Sequence, residues 1–158
     1  MRDETASGTE RSGRDPGAAE GNADGFARVA AELEIRNLVA RVAQLADHGH
    51  LDEYVNLYTD DGRWEYPGAT RRGRADILAG ARERRADKVT GPGSASRHVI
   101  TTLAVRVVDD RSATADSYWL FLRDTATIPV LVSMGHYHDE IRFDDGRWRI
   151  ARRDITLG

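Results

Sequence analysis

The hydrophobic periodicity of the chain changes once, at Arg97, and this change restricts the possible fold more than any other feature. Before it, apolar residues recur at the spacing of amphipathic helices. The clearest helical set is Ile35, Leu38, Val39, Val42 and Ala46. After it, apolar and polar residues alternate with the period of two that is typical of strands. Because helices and strands are segregated along the chain, the sequence predicts an α+β domain.

The predicted elements follow the order helix, helix, short strand, helix and four long strands. The helices are Phe26–Ala46, Leu51–Tyr58 and Gly73–Asp87, the short strand is Arg63–Tyr66, and the long strands are Arg97–Val108, Ala113–Arg123, Val130–Phe143 and Arg147–Thr156. Turn signals such as Asp144-Asp145-Gly146 indicate that the long strands pair as antiparallel hairpins. We therefore expect a cone-shaped curved sheet wrapped around three helices, forming one domain over residues 26–158.

Composition excludes several classes of protein. Residues 1–25 contain almost no large apolar side chains, which predicts a disordered tail without the apolar segment of a secretory signal. No run approaches the length that crosses a bilayer, so a cytoplasmic protein without a membrane partner is expected. The absence of cysteine excludes disulfides, cysteine–zinc sites and thiol catalysis. A net charge of −3 gives no basis for binding nucleic acid.

Two residues at the ends of predicted elements can form a catalytic pair. Asp47 lies where the first helix stops, and His98 lies where the first long strand starts. Strand alternation places His98 and Ile100 on one face. If the two side chains meet at the mouth of a pocket, the carboxylate orients the imidazole, which is the natural general base near neutral pH. Such a dyad needs neither a metal nor a cofactor, and none is expected.

Three segments of the chain resemble SnoaL-like domains of the nuclear transport factor two-like superfamily. They are LADHGHLDEYVNLYTDDGRWEY at the helix end, SRHVITT at the strand start and MGHYHDEIRFDDGRWRIARRD near the end of the chain. The resemblance covers about Leu33 to Ile155 and implies the same α+β barrel-like fold. Scytalone dehydratase and hexachlorocyclohexane dehydrochlorinase of this superfamily pair a helix-end Asp with a strand-start His. Asp47 and His98 occupy those positions.

The resemblance also implies further roles and sets a limit. The resemblance implies that Tyr66 helps to hold the substrate and that Arg153 faces a leaving group. Beside the dyad the chain departs from both enzymes, because Ala46 replaces the tyrosine of the dehydratase and Val42 lies closest to the lysine of the dehydrochlorinase. Neither specific reaction therefore transfers. What remains implied is a lyase, isomerase or cyclase of secondary or catabolic metabolism that removes a proton from carbon.

The alternative is a non-catalytic ligand-binding or assembly module of the same fold. A collapsed cavity, or a dyad turned to solvent, would favour that module. For the enzyme, we expect aromatic and polar side chains to hold a small apolar, even polycyclic, substrate. The candidates are Tyr54, Trp64, Tyr66, Trp119, Met134, His136, Tyr137 and Arg153. Among them Tyr66, Tyr137, His136 and Arg153 could stabilise the charge that develops during reaction.

Three further patterns have simpler interpretations. The spacing of His136 and His138 can suit zinc or iron together with His98, but we predict no metal site. The arginine run Arg82–Arg85 is interpreted as a solvated helix face. Strand alternation places an apolar stripe on the face opposite His98, which predicts a homo-oligomer, with a dimer favoured over a trimer. That stripe comprises Thr101, Leu103, Val105 and Val107.

Overall fold

The computed structural model describes residues 16–158 and their side chains from Asn22 onwards. The helices are α1 (Pro16–Asp47), α2 (Leu51–Val55) and α3 (Gly73–Ala86). The strands are β1 (Tyr58–Tyr66), β2 (Ala69–Arg72), β3 (Arg97–Val107), β4 (Ser112–Arg123), β5 (Val130–Asp144) and β6 (Arg147–Leu157). Within this range, none of the helices is long and apolar enough to cross a membrane.

All six strands form one sheet in the order β2-β1-β6-β5-β4-β3. The four long strands pair antiparallel with their neighbours in the chain, whereas β1 lies parallel to β6. Helix α1 packs against β3 and β6, and α3 packs against β1. Ile35, Val39 and Val42 on α1 are at most 2% exposed, and burial of such a side chain stabilises the fold by about 1.5–3 kcal/mol. The predicted α+β fold, with a curved sheet around helices, is confirmed.

Helix α1 begins at Pro16, well before the predicted start at Phe26. Residues 22–30 are exposed, so the side chains described before Ala31 form no apolar stripe facing the core, and periodicity therefore did not indicate the earlier start. Residues 1–15 lie outside the described residues, so the division into a disordered tail and one domain stays a prediction.

The strands β1 and β2 differ in two ways from the sequence prediction, which had a single short strand here. Strand β1 begins at Tyr58, and its pairing with β6 is irregular up to Arg63, which accommodates the turn signal at Asp60–Gly62 inside the strand. A Cβ at Gly62 would lie 2.9 Å from the Thr59 carbonyl oxygen, so the irregularity needs glycine. Strand β2 has only four residues on the sheet edge, too few to show an alternating pattern.

A bulge in β3 reverses the predicted faces of its second half. Thr102 has a φ of +47°, and the register with β4 shifts between Thr101 and Ala104. A one-residue shift sends all following side chains to the opposite face. Leu103 and Val105 therefore pack against the core, as does Val107. The predicted outer stripe is wrong, and the homo-oligomer stays a prediction without that support.

Substitutions on either side of the bulge test this reversal. Leu103→Asp buries a charge against the core and should lower the free energy of unfolding by about 2–4 kcal/mol. Thr101→Asp, on the outer face, should change it by less than about 1 kcal/mol. Urea denaturation measures both values. Equal effects at the two positions would mean that β3 runs straight.

Candidate active site

The side chains of Asp47 and His98 meet where the end of α1 approaches the start of β3. Asp47 is 2% exposed, and its Oδ1 lies 2.7 Å from His98 Nδ1. Its Oδ2 accepts the backbone N–H of His98 at 2.8 Å. Because a carboxylate accepts hydrogen bonds, the contact at Oδ1 places a proton on Nδ1. A neutral ring in this tautomer keeps its lone pair on Nε2, the nitrogen that can act as a base.

The helix end that carries Asp47 is held from α3. Arg85 donates to the carbonyl oxygens of Leu45 at 2.9 Å and Gly49 at 2.6 Å. The Leu45 carbonyl also accepts the Gly49 N–H at 3.2 Å, and a cation here favours the negative end of the helix dipole. A Cβ at Gly49 would lie 2.1 Å from Leu45 Cδ2, so glycine permits the tight exit from α1. Arg85 thus has a structural role, contrary to the solvated face predicted for its run.

The dyad opens into a cavity of about 380 Å³ between the helices and the inner face of the sheet. Six predicted substrate-binding residues line it together with His98. These six are Tyr54, Trp64, Tyr66, Trp119, Tyr137 and Arg153. Phe121, also a candidate for the cavity wall from the sequence, lines it as well, as do Val42 and Ala46, the two positions beside the dyad where the chain departs from the two enzymes. The sequence did not assign the other lining residues to the cavity, which are Ala43, Arg84, Val89, Thr90, Arg123, Val132, Ser133 and Ile155. The volume falls in the range of small-molecule sites.

Two residues predicted for the cavity, Met134 and His136, lie outside it. They pair with Leu120 and Tyr118 of β4 on the outer face of the sheet. Alternation along β5 allows Tyr137 or His136 to face inward, but not both, and Tyr137 is the inward residue. Between them, Gly135 makes room for the Trp119 ring, since a Cβ there would lie 2.8 Å from Trp119 Cζ2 and 1.9 Å from the Thr156 carbonyl oxygen.

The strand histidines share an aspartate on the outer face. Asp116 Oδ1 lies 2.7 Å from His138 Nδ1 and 3.3 Å from His136 Nε2. His98 faces the interior, so the three histidines cannot bind one metal ion. Among the described residues, no group of three or more His, Asp and Glu side chains could hold a metal.

No sequence pattern indicated the buried ion pair between Arg153 and Asp139. Arg153 Nε and Nη2 each donate to an Asp139 oxygen at 2.7 Å, and the guanidinium lies 4.3 Å from the centre of the Tyr137 ring. Burial lowers the pKa of Arg153, but the charge and hydrogen bonds of Asp139 outweigh it, so that the pKa is raised overall. Asp139 therefore fixes a permanently charged guanidinium at the cavity wall.

Two buried tyrosines supply neutral hydroxyl groups near this pair. Burial raises the pKa of Tyr137 well above its usual range, and it does the same for Tyr58. Tyr54 and Tyr58 place their hydroxyl oxygens 3.3 Å apart. The Tyr137 ring stacks on Trp119 with centroids 5.6 Å apart. The hydroxyl groups of Tyr58 and Tyr137 stay protonated at physiological pH and can donate hydrogen bonds.

Comparison with known proteins supports one family. The family model of the SnoaL-like domain matches residues 27–154. A nuclear transport factor two-like protein from Novosphingobium aromaticivorans is 28% identical over 85% of this chain and 86% of its own, with a TM-score of 0.72. A protein from Catenulispora acidiphila, solved in complex with S-DNPA, is 26% identical over 82% and 94%, with a TM-score of 0.67. ActVI-ORFA from Streptomyces coelicolor is 25% identical over 80% and 96%, with a TM-score of 0.66. None of the curated proteins matches.

The curved sheet around helices has the architecture of the nuclear transport factor two-like proteins. Within that superfamily the chain belongs to the SnoaL-like domain family. The resemblance of the three sequence segments is thereby confirmed. The family includes isomerases, dehydratases and cyclases.

Removing one partner of the buried ion pair should destabilise the protein strongly. Asp139→Ala leaves the Arg153 guanidinium buried without its counter-ion, which should lower the free energy of unfolding by about 3–5 kcal/mol. Glu53→Ala breaks the exposed pair with Arg41 and serves as the control, with an expected cost below about 1 kcal/mol. Thermal and urea unfolding measure both. A cost for Asp139→Ala no larger than the control would show that the pair contributes little.

The outer Asp116–His138 pair should give a small pH dependence of stability. The hydrogen bond that His138 donates to Asp116 raises the pKa of His138 against the lowering effect of burial, with smaller contributions from the charges of Asp116, Asp139 and Asp154. The pair therefore stabilises the fold below the pKa of the unfolded imidazole, and this gain is lost as pH rises through the higher folded pKa. The melting temperature of the wild type should exceed that of Asp116→Asn at about pH 5.5 and equal it near pH 9. A difference independent of pH would contradict this linkage.

Proposed function

We propose that this protein is a lyase, isomerase or cyclase of small apolar molecules, in which the Asp47–His98 dyad removes a proton from carbon. One observation supports this most directly. The 2.7 Å bond between the two side chains lies where His98 enters a cavity lined by aromatic residues. A collapsed cavity, or a dyad facing solvent, would instead have favoured the non-catalytic module.

The contacts of the dyad suit proton abstraction. His98 Nε2 takes the proton of a carbon next to a carbonyl or leaving group, and the electron pair moves to the carbonyl oxygen or expels the leaving group. Asp47 accepts the Nδ1 hydrogen bond throughout, so it keeps the tautomer and stabilises the imidazolium. Arg153 and the Tyr137 hydroxyl lie on the cavity wall, where they can stabilise the developing negative charge.

The return of the proton distinguishes the three reaction classes. In a dehydration the imidazolium protonates the departing hydroxyl group, in an isomerisation it protonates a second carbon, and in a cyclisation it protonates the alkoxide of an aldol closure. All three share the first step. The cavity wall therefore selects the reaction through the position of the substrate. The similar protein from Catenulispora acidiphila was solved in complex with S-DNPA, which supports the binding of a small molecule here.

The first step can be measured with nitrobenzisoxazole, which opens its ring and becomes coloured after loss of one proton from carbon. His98→Ala should lower the enzyme-catalysed rate by about 10²–10⁴-fold, because the base is lost. Asp47→Asn should lower it by about 10²-fold or more, because the amide no longer stabilises the imidazolium. Circular dichroism establishes that each variant remains folded.

The outer face of the sheet supplies a matched control. His138 and Asp116 form an Asp–His hydrogen bond of the same 2.7 Å length outside the cavity. His138→Ala and Asp116→Asn should leave the rate of ring opening unchanged. Full activity in His98→Ala and Asp47→Asn, or equal losses in the inner and outer variants, would refute the dyad mechanism.

A further inference from the structure

The cavity that holds the dyad is lined by basic residues, although the chain as a whole is acidic. The sequence has 26 acidic and 23 basic residues, and its net charge is −3. Nevertheless the residues lining the cavity include three arginines and His98, with no Asp or Glu among the lining residues of the described part. An acidic protein thus encloses a basic cavity.

Only part of that positive charge is compensated. Arg153 is paired with Asp139, and His98 is paired with Asp47. In the described part of the chain, neither Arg84 nor Arg123 forms a salt bridge, although most other arginines do. Two positive charges therefore remain at the cavity without a protein counter-ion.

Arg84 is held in place by stacking. It lies on α3, is half-buried, and its guanidinium carbon is 4.7 Å from the centre of the Trp64 ring. This cation–π contact orients the guanidinium without using its N–H donors. The prediction of a solvated face for Arg82–Arg85 is therefore wrong for Arg84 as well as for Arg85, whereas Arg82 is exposed.

Arg123 lies at the open end of the cavity on the strand that faces His98. Phe121 pairs directly with His98 across β3 and β4, and the two rings are 4.9 Å apart. Arg123 follows two positions later on the same inner face, about 7 Å along the strand. A substrate whose reacting carbon lies at His98 can thus reach Arg123 with a substituent a few bonds away.

We propose that the substrate of this cavity is an otherwise apolar aromatic molecule that carries one carboxylate, and that Arg84 and Arg123 bind this carboxylate at the cavity mouth. Its ring system would lie among the aromatic side chains beside the dyad. Guanidinium groups bind carboxylates through paired, charge-assisted hydrogen bonds, which fix orientation as well as affinity. This inference rests on the proposed function for the chemistry of the site, but binding itself does not require the dyad.

Two probes of equal shape and different charge test the inference. Naphthoate and naphthamide are titrated into the protein, and binding is followed by calorimetry and by quenching of the tryptophan fluorescence. Naphthoate should bind about tenfold more tightly, and its advantage should shrink as salt concentration rises. Arg84→Gln and Arg123→Gln should each weaken naphthoate binding about fivefold to tenfold and leave naphthamide unchanged within about twofold.

Arg82→Gln is the control, because this arginine is exposed on the same helix. It should leave the affinity for naphthoate unchanged. Equal affinity for the two probes, binding of neither at millimolar concentration, or an equal loss of both probes in Arg84→Gln would overturn the inference. His98→Ala should retain selective binding of naphthoate. Hence an inactive dyad with intact selectivity would refute the proposed function alone, and lost selectivity with an active dyad would refute only the carboxylate site.

Discussion

The rest of the site depends on Asp47, whose two carboxylate oxygens both accept hydrogen bonds from His98. One oxygen accepts the ring Nδ1–H of His98 and the other accepts its backbone N–H. A buried carboxylate is costly unless its lone pairs are satisfied, and these two bonds satisfy it with a single partner. They also join the last residue of α1 to the start of β3. Helix position, strand register and imidazole orientation are therefore fixed together.

A second buried charge pair closes the cavity from the side of β5 and β6. Asp139 and Arg153 are direct cross-strand partners, and both are nearly inaccessible to solvent. Each buried pair joins elements that are separate in the chain, and each places one functional group on the cavity wall. The groups that suit catalysis are thus held by charged partners behind them, and such support restricts their motion.

The sequence predicted the long strands within a residue or two, because alternation and short turn signals act locally. It also predicted the dyad, since both members lie at element ends. Two features depended on irregular pairing and were missed. Thr102 adds a residue to β3, and the shift between Glu140 and Ile141 brings Asp139, not His138, opposite Arg153. In both cases a one-residue shift in strand pairing decides which face or partner each side chain has. Alternation alone cannot reveal where such a bulge occurs.

Alternation alone was also insufficient to assign individual side chains to the cavity. Tyr137 and His136 are neighbours on one strand, so alternation required a choice that only the packed structure makes. Arg84 was hidden by its surroundings in the sequence, since an arginine run resembles a solvated surface. Arg84 lies over Trp64, which is distant from it in the sequence, so the local pattern does not reveal this contact.

Gly135 has a consequence for how this cavity could adapt to other ligands. The Trp119 ring can pack against this part of the wall because Gly135 has no side chain. A Cβ at Gly135 would collide first with the backbone of Thr156. Backbone in a paired strand cannot yield without disturbing the sheet, so even a methyl group at this position would deform the domain. The inner end of the cavity is therefore rigid in shape. Selectivity can change at less structural cost at the mouth, where the side chains of Arg84 and Arg123, and no paired backbone, line the cavity.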